Sequence, residues 1–443
     1  MRRSRAREVV CGDRRLGSRL RGSLAVVVLM AGSPAVAGLS PSSAAEAVQY
    51  TYVSNYADDT VSVIDTADQT VTDTIPVGDG PNGIAALPDG SRVYAINYNS
   101  DNVSVIETAT DTVVGTVAVG TQPTDATATP DGRFLYVANS GADTVTVVDT
   151  ATDTVVDTIP VGNGPIEVAF TPDGRFAYVT NYYEGLAGTV SVINTALRST
   201  VATIPVGSYP VGARVTPDGR YVYITNWGTT TVSVIATATN TVVATVTVGN
   251  APDDVVVSPD GSRVYVTNMY SDSVSVIATA TNTVTDTIHL STAGPVDTGP
   301  NGLAITPDGS RVYVANSFAD NVSVISTLTN TVTDTVPVGN HPTDVDIAGT
   351  TGGGSHAGRA TPLAGASNSS KQEAGGGVTS KHYTGTVAKN TGKNHHRDTF
   401  VRHARHRRNA HPQRTHPIGR RTPPLLLLTP LVRRRRGDFY QLA

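Results

Sequence analysis

Short runs of Val, Ile, Thr and Tyr recur along the middle of the chain, separated by turns of Asp, Asn, Gly and Pro. The runs at 83–87, 92–97, 102–106 and 112–119 illustrate one complete set. β-Branched and aromatic residues fit a pleated surface, and runs of this length between turn residues are typical of β-strands. The pattern therefore predicts an all-β fold built from units of four strands.

The four-strand unit occurs seven times. A tetrapeptide of the form Tyr-Val-Thr-Asn ends the second strand of every unit, and its Asn recurs after 42, 42, 42, 45, 42 and 48 residues. The seven residues are Asn55, Asn97, Asn139, Asn181, Asn226, Asn268 and Asn316. Repeats of this length are typical of propeller blades. We therefore expect seven blades, with the extra residues within 182–188 and 289–299 placed between strands.

Six units carry Pro-Asp-Gly directly before the Tyr-containing strand, beginning at Pro88, Pro130, Pro172, Pro217, Pro259 and Pro307. Asp-Gly between apolar runs is a hairpin signal, because Gly readily adopts positive φ. The repeats begin with a second strand, 48–55, and end with a lone first strand, 343–348. Pairing of these two would close the ring and remove exposed sheet edges. The prediction is a seven-bladed β-propeller of four-stranded antiparallel blades, closed by one C-terminal and three N-terminal strands.

The distribution of charge divides the chain into a leader at 1–47, a propeller at 48–349 and a tail at 350–443. The propeller contains 31 Asp and Glu, eight Arg and no Lys, a net charge of −23, although the whole chain carries only −4. Both terminal segments are basic. An acidic domain of this kind would repel phosphates, so no nucleic-acid partner is expected.

The leader has the pattern of a signal peptide. Eight Arg precede the apolar run at 24–30, and Ala-x-Ala sites follow at 35–37 and 45–47. The run is much shorter than the roughly 20 residues that span a bilayer, so we expect cleavage and no transmembrane segment thereafter. The protein is thus predicted to be secreted or held at the cell surface. Cys11, the only cysteine, lies in the leader, so the mature protein would have neither a disulfide nor a thiolate.

The tail is rich in His, Arg and Pro and holds eight of the ten His residues. Its composition predicts disorder. Its basic charge would favour salt-sensitive contacts with anionic cell-wall polymers.

The tetrapeptides, the Pro-Asp-Gly turns and the Val-Gly-x-x-Pro joints between blades resemble the YVTN family of β-propeller repeats. Members of that family include archaeal surface-layer proteins and exported, YncE-like bacterial proteins. The resemblance covers residues 48–349 and implies a seven-bladed ring, an extracytoplasmic location and no known catalytic residues. It identifies no ligand, because propellers support many unrelated functions.

The residue two places after the Pro of each blade joint differs between units. Four units carry a carboxylate there: Asp125, Glu167, Asp254 and Asp344. These positions begin the strand nearest the axis, so the carboxylates should surround one mouth of the channel. They are candidate ligands for Ca²⁺, the one cofactor considered, since hard cations prefer several carboxylate oxygens. The alternative, favoured because no loop has a metal-ligand spacing, is that each carboxylate caps its own turn.

The loops after the repeated Asn residues lie on the same face and carry aromatic residues. The candidate ligand-binding residues are Tyr56, Tyr98, Tyr182, Tyr209, Trp227, Tyr270 and Phe318. Aromatic rings beside carboxylates on a rigid scaffold suit stacking on sugars or contact with a peptide. A structural role, in which each ring covers the neighbouring blade, is the alternative.

The repeated Asn is interpreted as capping the turn that follows it through hydrogen bonds to nearby backbone, and the Asp of Pro-Asp-Gly as part of its own turn, because both recur from unit to unit. The sequence shows no nucleophile with a partner base. The leading prediction is therefore a non-catalytic, secreted or cell-surface scaffold that binds a cell-wall glycan, peptide or protein. The alternatives are a cation-dependent hydrolase resembling lactonases of similar fold, or a structural surface-layer component.

Overall fold

The computed structural model describes residues 49–183, 187–290 and 298–349. All the described residues belong to one compact unit. The predicted leader and the predicted tail lie outside the described residues. Within the described ranges, no helix has the length and hydropathy needed to cross a membrane.

Secondary structure in the described residues is almost entirely β-strand, as the Val, Ile, Thr and Tyr runs predict. The one helical element described is a 3₁₀ turn at Met269–Ser271. The strands, in chain order, are β1 (Gln49–Asn55), β2 (Thr60–Asp65), β3 (Thr70–Pro76), β4 (Pro81–Ala86), β5 (Arg92–Asn97), β6 (Asn102–Glu107), β7 (Thr112–Ala118), β8 (Pro123–Ala128), β9 (Phe134–Asn139), β10 (Thr144–Asp149), β11 (Thr154–Pro160), β12 (Pro165–Phe170), β13 (Phe176–Asn181), β14 (Thr189–Asn194), β15 (Ser199–Pro205), β16 (Pro210–Val215), β17 (Tyr221–Asn226), β18 (Thr231–Ala236), β19 (Thr241–Thr247), β20 (Pro252–Val257), β21 (Arg263–Asn268), β22 (Ser273–Ala278), β23 (Thr283–His289), β24 (Pro300–Ile305), β25 (Arg311–Asn316), β26 (Asn321–Ser326), β27 (Thr331–Pro337) and β28 (Pro342–Gly349).

The strands form seven four-stranded antiparallel sheets, which are the blades of a propeller. Blade 1 has the order β28, β1, β2, β3, and blades 2 to 7 each consist of four consecutive strands, from β4–β7 to β24–β27. Strand β28 pairs with β1 from the Gln49–Gly349 pair to the Asn55–Pro342 pair. The predicted fold and its closure by a C-terminal strand are therefore confirmed. Both insertions fall between strands, after β13 and after β23.

The Pro-Asp-Gly turns form the hairpins between the first and second strands of a blade. Their glycines have φ between 67° and 72°, which a residue with a β-carbon adopts only with strain. In the turn at Pro130, Asp131 Oδ1 accepts hydrogen bonds from Thr129 Oγ1 at 2.6 Å and from Arg133 N at 3.1 Å. The first of these bonds is the main cause that lowers the pKa of Asp131. The structural interpretation of this Asp is confirmed.

The repeated Asn is also structural, although its partners differ from those expected. Asn226 is buried, and its Nδ2 donates to Thr231 Oγ1 at 3.1 Å and Ser233 Oγ at 3.0 Å in the third strand. Its Oδ1 accepts from Gly207 N, in the preceding blade joint, at 3.0 Å. The Asn therefore ties its strand to both a neighbouring strand and a joint, rather than capping only the turn that follows.

The apolar core lies between adjacent blades. Tyr94 and Ile96 of blade 2 pack with Leu135 and Val137 of blade 3, and the same arrangement recurs around the ring. The last of these interfaces, between blades 7 and 1, includes Val345 of β28. The inner strands are thereby held around a channel, which positions the candidate site.

Candidate functional site

The inner strands enclose a central cavity of about 350 Å³. Each of the seven blades contributes its innermost strand to the lining, namely β28, β4, β8, β12, β16, β20 and β24. The structure places the four sequence-predicted carboxylates, Asp125, Glu167, Asp254 and Asp344, together at this cavity. Their side chains are partly accessible from the channel but otherwise surrounded by protein.

Three of the four carboxylates accept a backbone hydrogen bond from the next blade. The bonds, each 2.9 Å long, run from Ile84 N to Asp344 Oδ2, from Leu303 N to Asp254 Oδ2 and from Ala213 N to Glu167 Oε2. Inner strands of different blades do not pair with one another, so these amides would otherwise lack a partner in the channel wall. The carboxylates join blades, which is a wider structural role than capping their own turns.

The blades that donate these amides carry Gly at the position of the carboxylate, namely Gly83, Gly212 and Gly302. A β-carbon at Gly83 would lie 2.7 Å from Asp125 Oδ1, and one at Gly302 would collide with Asp344. Gly83 and Gly302 therefore leave room for the carboxylate of the following blade, and Gly212 leaves room for the backbone of Asp253 and Asp254. Acid and Gly alternate around the ring for this reason, except where Asp125 is followed by Glu167.

Asp125 consequently differs from the other three acids. Its neighbour at the equivalent position is Glu167 rather than a Gly, and it accepts a hydrogen bond from the amide of Ala126 in its own strand. Among the hydrogen bonds of the described residues, none joins its carboxyl to the amide of the next blade. Asp125 is thus the ring carboxyl that is not used to join blades.

Two charged residues of the cavity were not predicted from the sequence. Arg214 lies on β16, where its Nη2 is 3.7 Å from Glu167 Oε1 and its Nε donates to Val255 O at 3.3 Å. Asp346 on β28 accepts from Ala86 N at 2.8 Å. A signal for Arg214 exists in the sequence: six of the other seven propeller Arg residues follow Pro-Asp-Gly turns, whereas Arg214 lies within a first strand.

Burial raises the pKa of every carboxyl in the cavity, and repulsion between carboxylates adds to this for Asp125, Glu167 and Asp344. Burial is the main cause for Asp125, whose pKa rises to about 8, with a further contribution from Asp254. Burial and the charge of Asp254 hold the pKa of Glu167 well above its usual range. Burial acts in the opposite sense on Arg214, but the surrounding carboxylates outweigh it, so the pKa of Arg214 is raised. The cavity therefore combines a fixed cation with carboxyl groups that can hold protons near neutral pH.

Protein groups surround the four candidate Ca²⁺ ligands in the channel. Among the residues that the structure describes, no three His, Cys, Asp or Glu side chains converge as metal ligands. Three of the four candidate ligands already accept a backbone hydrogen bond from the next blade, and Arg214 adds a positive charge. Binding of Ca²⁺ at the channel mouth therefore stays a prediction, and no chemistry below depends on it.

Above the cavity lies a cluster of aromatic side chains from blades 4 to 6, which we call the aromatic rim. It consists of Tyr182, Tyr183, Tyr209, Trp227 and Tyr270. The ring centroids of Tyr182 and Tyr209 are 4.9 Å apart, and those of Trp227 and Tyr270 are 5.8 Å apart. Tyr182 also lies 4.9 Å from Tyr183 and 6.5 Å from Trp227. The structure thus brings four of the seven predicted aromatic residues into one contiguous surface.

The other three predicted aromatic residues lie elsewhere around the mouth. Tyr56 and Phe318 flank His341, with ring centroids 6.0 and 6.2 Å from the imidazole. Tyr98 is close enough to Tyr183 to contribute to its raised pKa, after the larger effect of burial. Tyr56 is buried, as its alternative structural role requires, whereas Phe318 is exposed.

The aromatic rim is connected to the cavity through Asp253. Asp253 precedes Asp254 in β20, and burial, followed by the charge of Asp254, raises its pKa to about 8. Burial is the main cause of the raised pKa of Tyr182, and the charge of Asp253 contributes to it. Asp253 is therefore near enough to affect both Tyr182 of the rim and, through its neighbour Asp254, the cavity lining.

Comparison with solved structures shows the same architecture in several proteins. Hydrazine synthase of Kuenenia stuttgartiensis is 26% identical, with 60% of this chain and 88% of that chain covered and a TM-score of 0.55. A protein of unknown function from Desulfotomaculum acetoxidans is 18% identical, covering 67% and 98% at a TM-score of 0.57. A Bacteroides fragilis protein provisionally assigned as a 6-phosphogluconolactonase is 19% identical, covering 70% and 99% at a TM-score of 0.56. The last two likenesses show the fold alone.

No curated protein matches the sequence. A family model does: the model of the lactonase family with a seven-bladed β-propeller matches residues 120–285 and 236–347. These two overlapping segments together span slightly more than half of the 443-residue chain. The likeness to surface-layer and YncE-like proteins stays a prediction. The repeats, the closed ring and this match together show that the chain belongs to the lactonase family of seven-bladed β-propellers.

Proposed function

We propose that the protein is a hydrolase that opens a lactone or a related carboxylic ester in the central cavity. The observation that carries this proposal is the grouping of Asp125, Glu167 and Asp254 around Arg214 in a chain of the lactonase family. Lactone hydrolysis needs a base for water, a cation for the developing oxyanion and an acid for the leaving oxygen. The cavity contains a group of each kind. This is the alternative, rather than the leading, prediction from the sequence.

Asp125 is the best candidate for the general base, because it is not used to join blades. In its ionised form it would accept a proton from a water molecule as the water oxygen attacks the lactone carbonyl carbon. Arg214 would stabilise the negative charge that develops on the carbonyl oxygen, since its guanidinium is fixed by Val255 O and Glu167. Both roles need only groups that already face the cavity.

Glu167 and Asp254 are suited to the general-acid role. Burial, followed by the charge of Asp254, holds the pKa of Glu167 well above its usual range, and burial raises the pKa of Asp254, so the pair can retain a proton. That proton would pass to the ring oxygen as the bond between this oxygen and the carbonyl carbon breaks. The product is a hydroxy acid; Asp125 then releases its proton to solvent and the Glu167–Asp254 pair takes one up, which restores the starting state.

The proposal is tested by proton release from a panel of uncharged, cationic and anionic lactones, measured with a pH indicator. We expect turnover, and a loss of about 10²–10⁴-fold in kcat/KM for both Asp125→Asn and Arg214→Gln. The rate should rise with pH towards about 8, the pKa of Asp125, and Asp125→Asn should remove this dependence. Asp131→Asn, in a turn on the opposite face, is the matched control. Absence of turnover across the panel, or full activity of Asp125→Asn, would overturn the proposal.

A second candidate function, the binding scaffold, is favoured by the aromatic rim. In that case the protein would bind a cell-wall glycan, peptide or protein without releasing protons from any lactone.

Export of the protein, followed by cleavage within residues 1–47, is likewise a proposal from the sequence. It is tested by the intact mass of protein recovered from the culture medium, where a mass that includes Cys11 would contradict it.

A further inference from the structure

Two departures from the sevenfold repeat occur on the same side of the channel. At the position of Arg214, the other six blades carry no basic residue, and Arg214 belongs to blade 5. Blade 5 also carries Trp227 and the joint residue Tyr209, and the remaining rings of the aromatic rim come from its two neighbours. A shared structural requirement would preserve the repeat. A departure that concentrates rings and charge on one side indicates a ligand that binds there.

Three rings of the aromatic rim are accessible from solvent on the surface of an acidic domain. Tyr183 and Tyr270 are 36% and 49% exposed, and Trp227 is partly exposed, so part of each ring is accessible from solvent. The face of an aromatic ring is electrostatically negative and attracts cations. The acidic propeller, with 31 Asp and Glu against eight Arg, adds a long-range negative potential at this surface. An anionic group would be repelled from this surface.

We infer that the aromatic rim binds an organic cation, namely an alkylammonium group, on the faces of Trp227 and Tyr270. As a description of the substrate, the inference rests on the proposed function: the substrate would be an ester or lactone that carries an ammonium group. The ammonium group would lie on the rim, while the carbonyl group extends to Arg214. The binding measurement itself does not require turnover.

The chain offers a direct probe, because Trp227 is its only tryptophan. Tryptophan fluorescence of the full chain therefore reports on the rim alone. We expect choline to change this fluorescence saturably. Its uncharged isostere, 3,3-dimethylbutanol, should bind at least about tenfold more weakly, because it has the same shape without the charge. Equal affinity for the two compounds, or no change with choline, would overturn the inference.

Substitutions of single aromatic residues test whether choline binds at the aromatic rim. Tyr270→Leu should weaken choline binding by about tenfold, and Phe318→Leu, an exposed ring beside His341 and outside the rim, is the matched control with unchanged binding. If Tyr270→Leu proves unfolded by circular dichroism, Tyr183→Leu takes its place. Wild-type affinity in the folded variant would overturn the assignment. Choline binding without lactone turnover would contradict only the proposed hydrolase, whereas turnover without preference for choline would contradict only the cation site.

Discussion

The repeated Tyr joins each blade to the next through its hydroxyl group. In five of the seven blades this hydroxyl hydrogen-bonds a residue of the outer hairpin of the following blade. The pairs are Tyr52–Asp111, Tyr94–Asp153, Tyr178–Asn240, Tyr223–Asn282 and Tyr313–Gln69. Each of these partners has a positive φ, a conformation that Asn and Asp tolerate better than most residues. The Tyr of the tetrapeptide is thus selected for contact between blades.

Removal of one such hydroxyl should lower the free energy of unfolding by a measurable amount. The Tyr223 hydroxyl donates to Asn282 Oδ1 at 2.6 Å, and Tyr223→Phe should lower the free energy of unfolding by about 1 kcal/mol. Tyr265→Phe is the matched control, since the Tyr265 hydroxyl and Oδ1 of the equivalent Asn330 are both buried and unpaired. Urea unfolding measures both. A loss for Tyr265→Phe as large as that for Tyr223→Phe would contradict this role of the hydrogen bond.

At the scale of the element, neighbouring inner strands fit together because a glycine in one strand leaves space for a carboxylate in the next. Asp344 can reach the backbone of the next blade because Gly302, in the blade before it, leaves space for its carboxylate. A larger residue would have to displace a carboxylate whose hydrogen bonds satisfy buried amides. The carboxylates and glycines therefore act together, and neither type of residue can be altered alone.

Gly302→Ala tests this coupling. Its β-carbon would collide with Asp344 and lie 2.9 Å from Thr343 O, so we expect the free energy of unfolding to fall by about 1–3 kcal/mol. Gly115→Ala, in the outer strand β7, is the matched control, because its β-carbon would meet Val105 at 3.8 Å. That substitution should be neutral or stabilise by up to about 1 kcal/mol. Similar thermal unfolding of the two variants would contradict the coupling.

The strands were predictable from the sequence, whereas the contacts between blades were not. Turn residues and repeat length specify where Arg92–Asn97 begins and ends, because both are local properties of the chain. The bond from Ile84 to Asp344 joins residues 260 positions apart. It depends on the channel radius and on the offset between blades, which no local pattern encodes. Arg214 is intermediate: its departure from the repeat is visible in the sequence, but its proximity to Glu167 is not.

At the scale of the whole molecule, two groups of carboxyls respond to pH in opposite ways. Those in the turns, such as Asp131 and Asp260, have lowered pKa values through hydrogen bonds to neighbouring Thr or Ser hydroxyls. Their small contributions are present above about pH 4 and are lost in acid. Those in the channel, such as Asp125 and Asp253, have raised pKa values through burial. Because the channel groups are more buried, they should determine how stability changes above pH 4.

We therefore expect stability to decrease as the pH rises from about 5 to about 8. The unfolded chain releases its carboxyl protons near pH 4, whereas Asp125 and Asp253 retain theirs in the fold until about pH 8. Between these values the unfolded state binds fewer protons, so the free energy of unfolding falls with pH.

Urea unfolding at several pH values measures the slope of the free energy of unfolding against pH. Asp253→Asn should make this slope shallower, because an amide does not ionise, whereas Asp131→Asn should leave it unchanged above pH 5. A slope of the opposite sign would mean that the channel carboxyls are ionised throughout this range, and Asp125 could then not give the rise in activity towards pH 8.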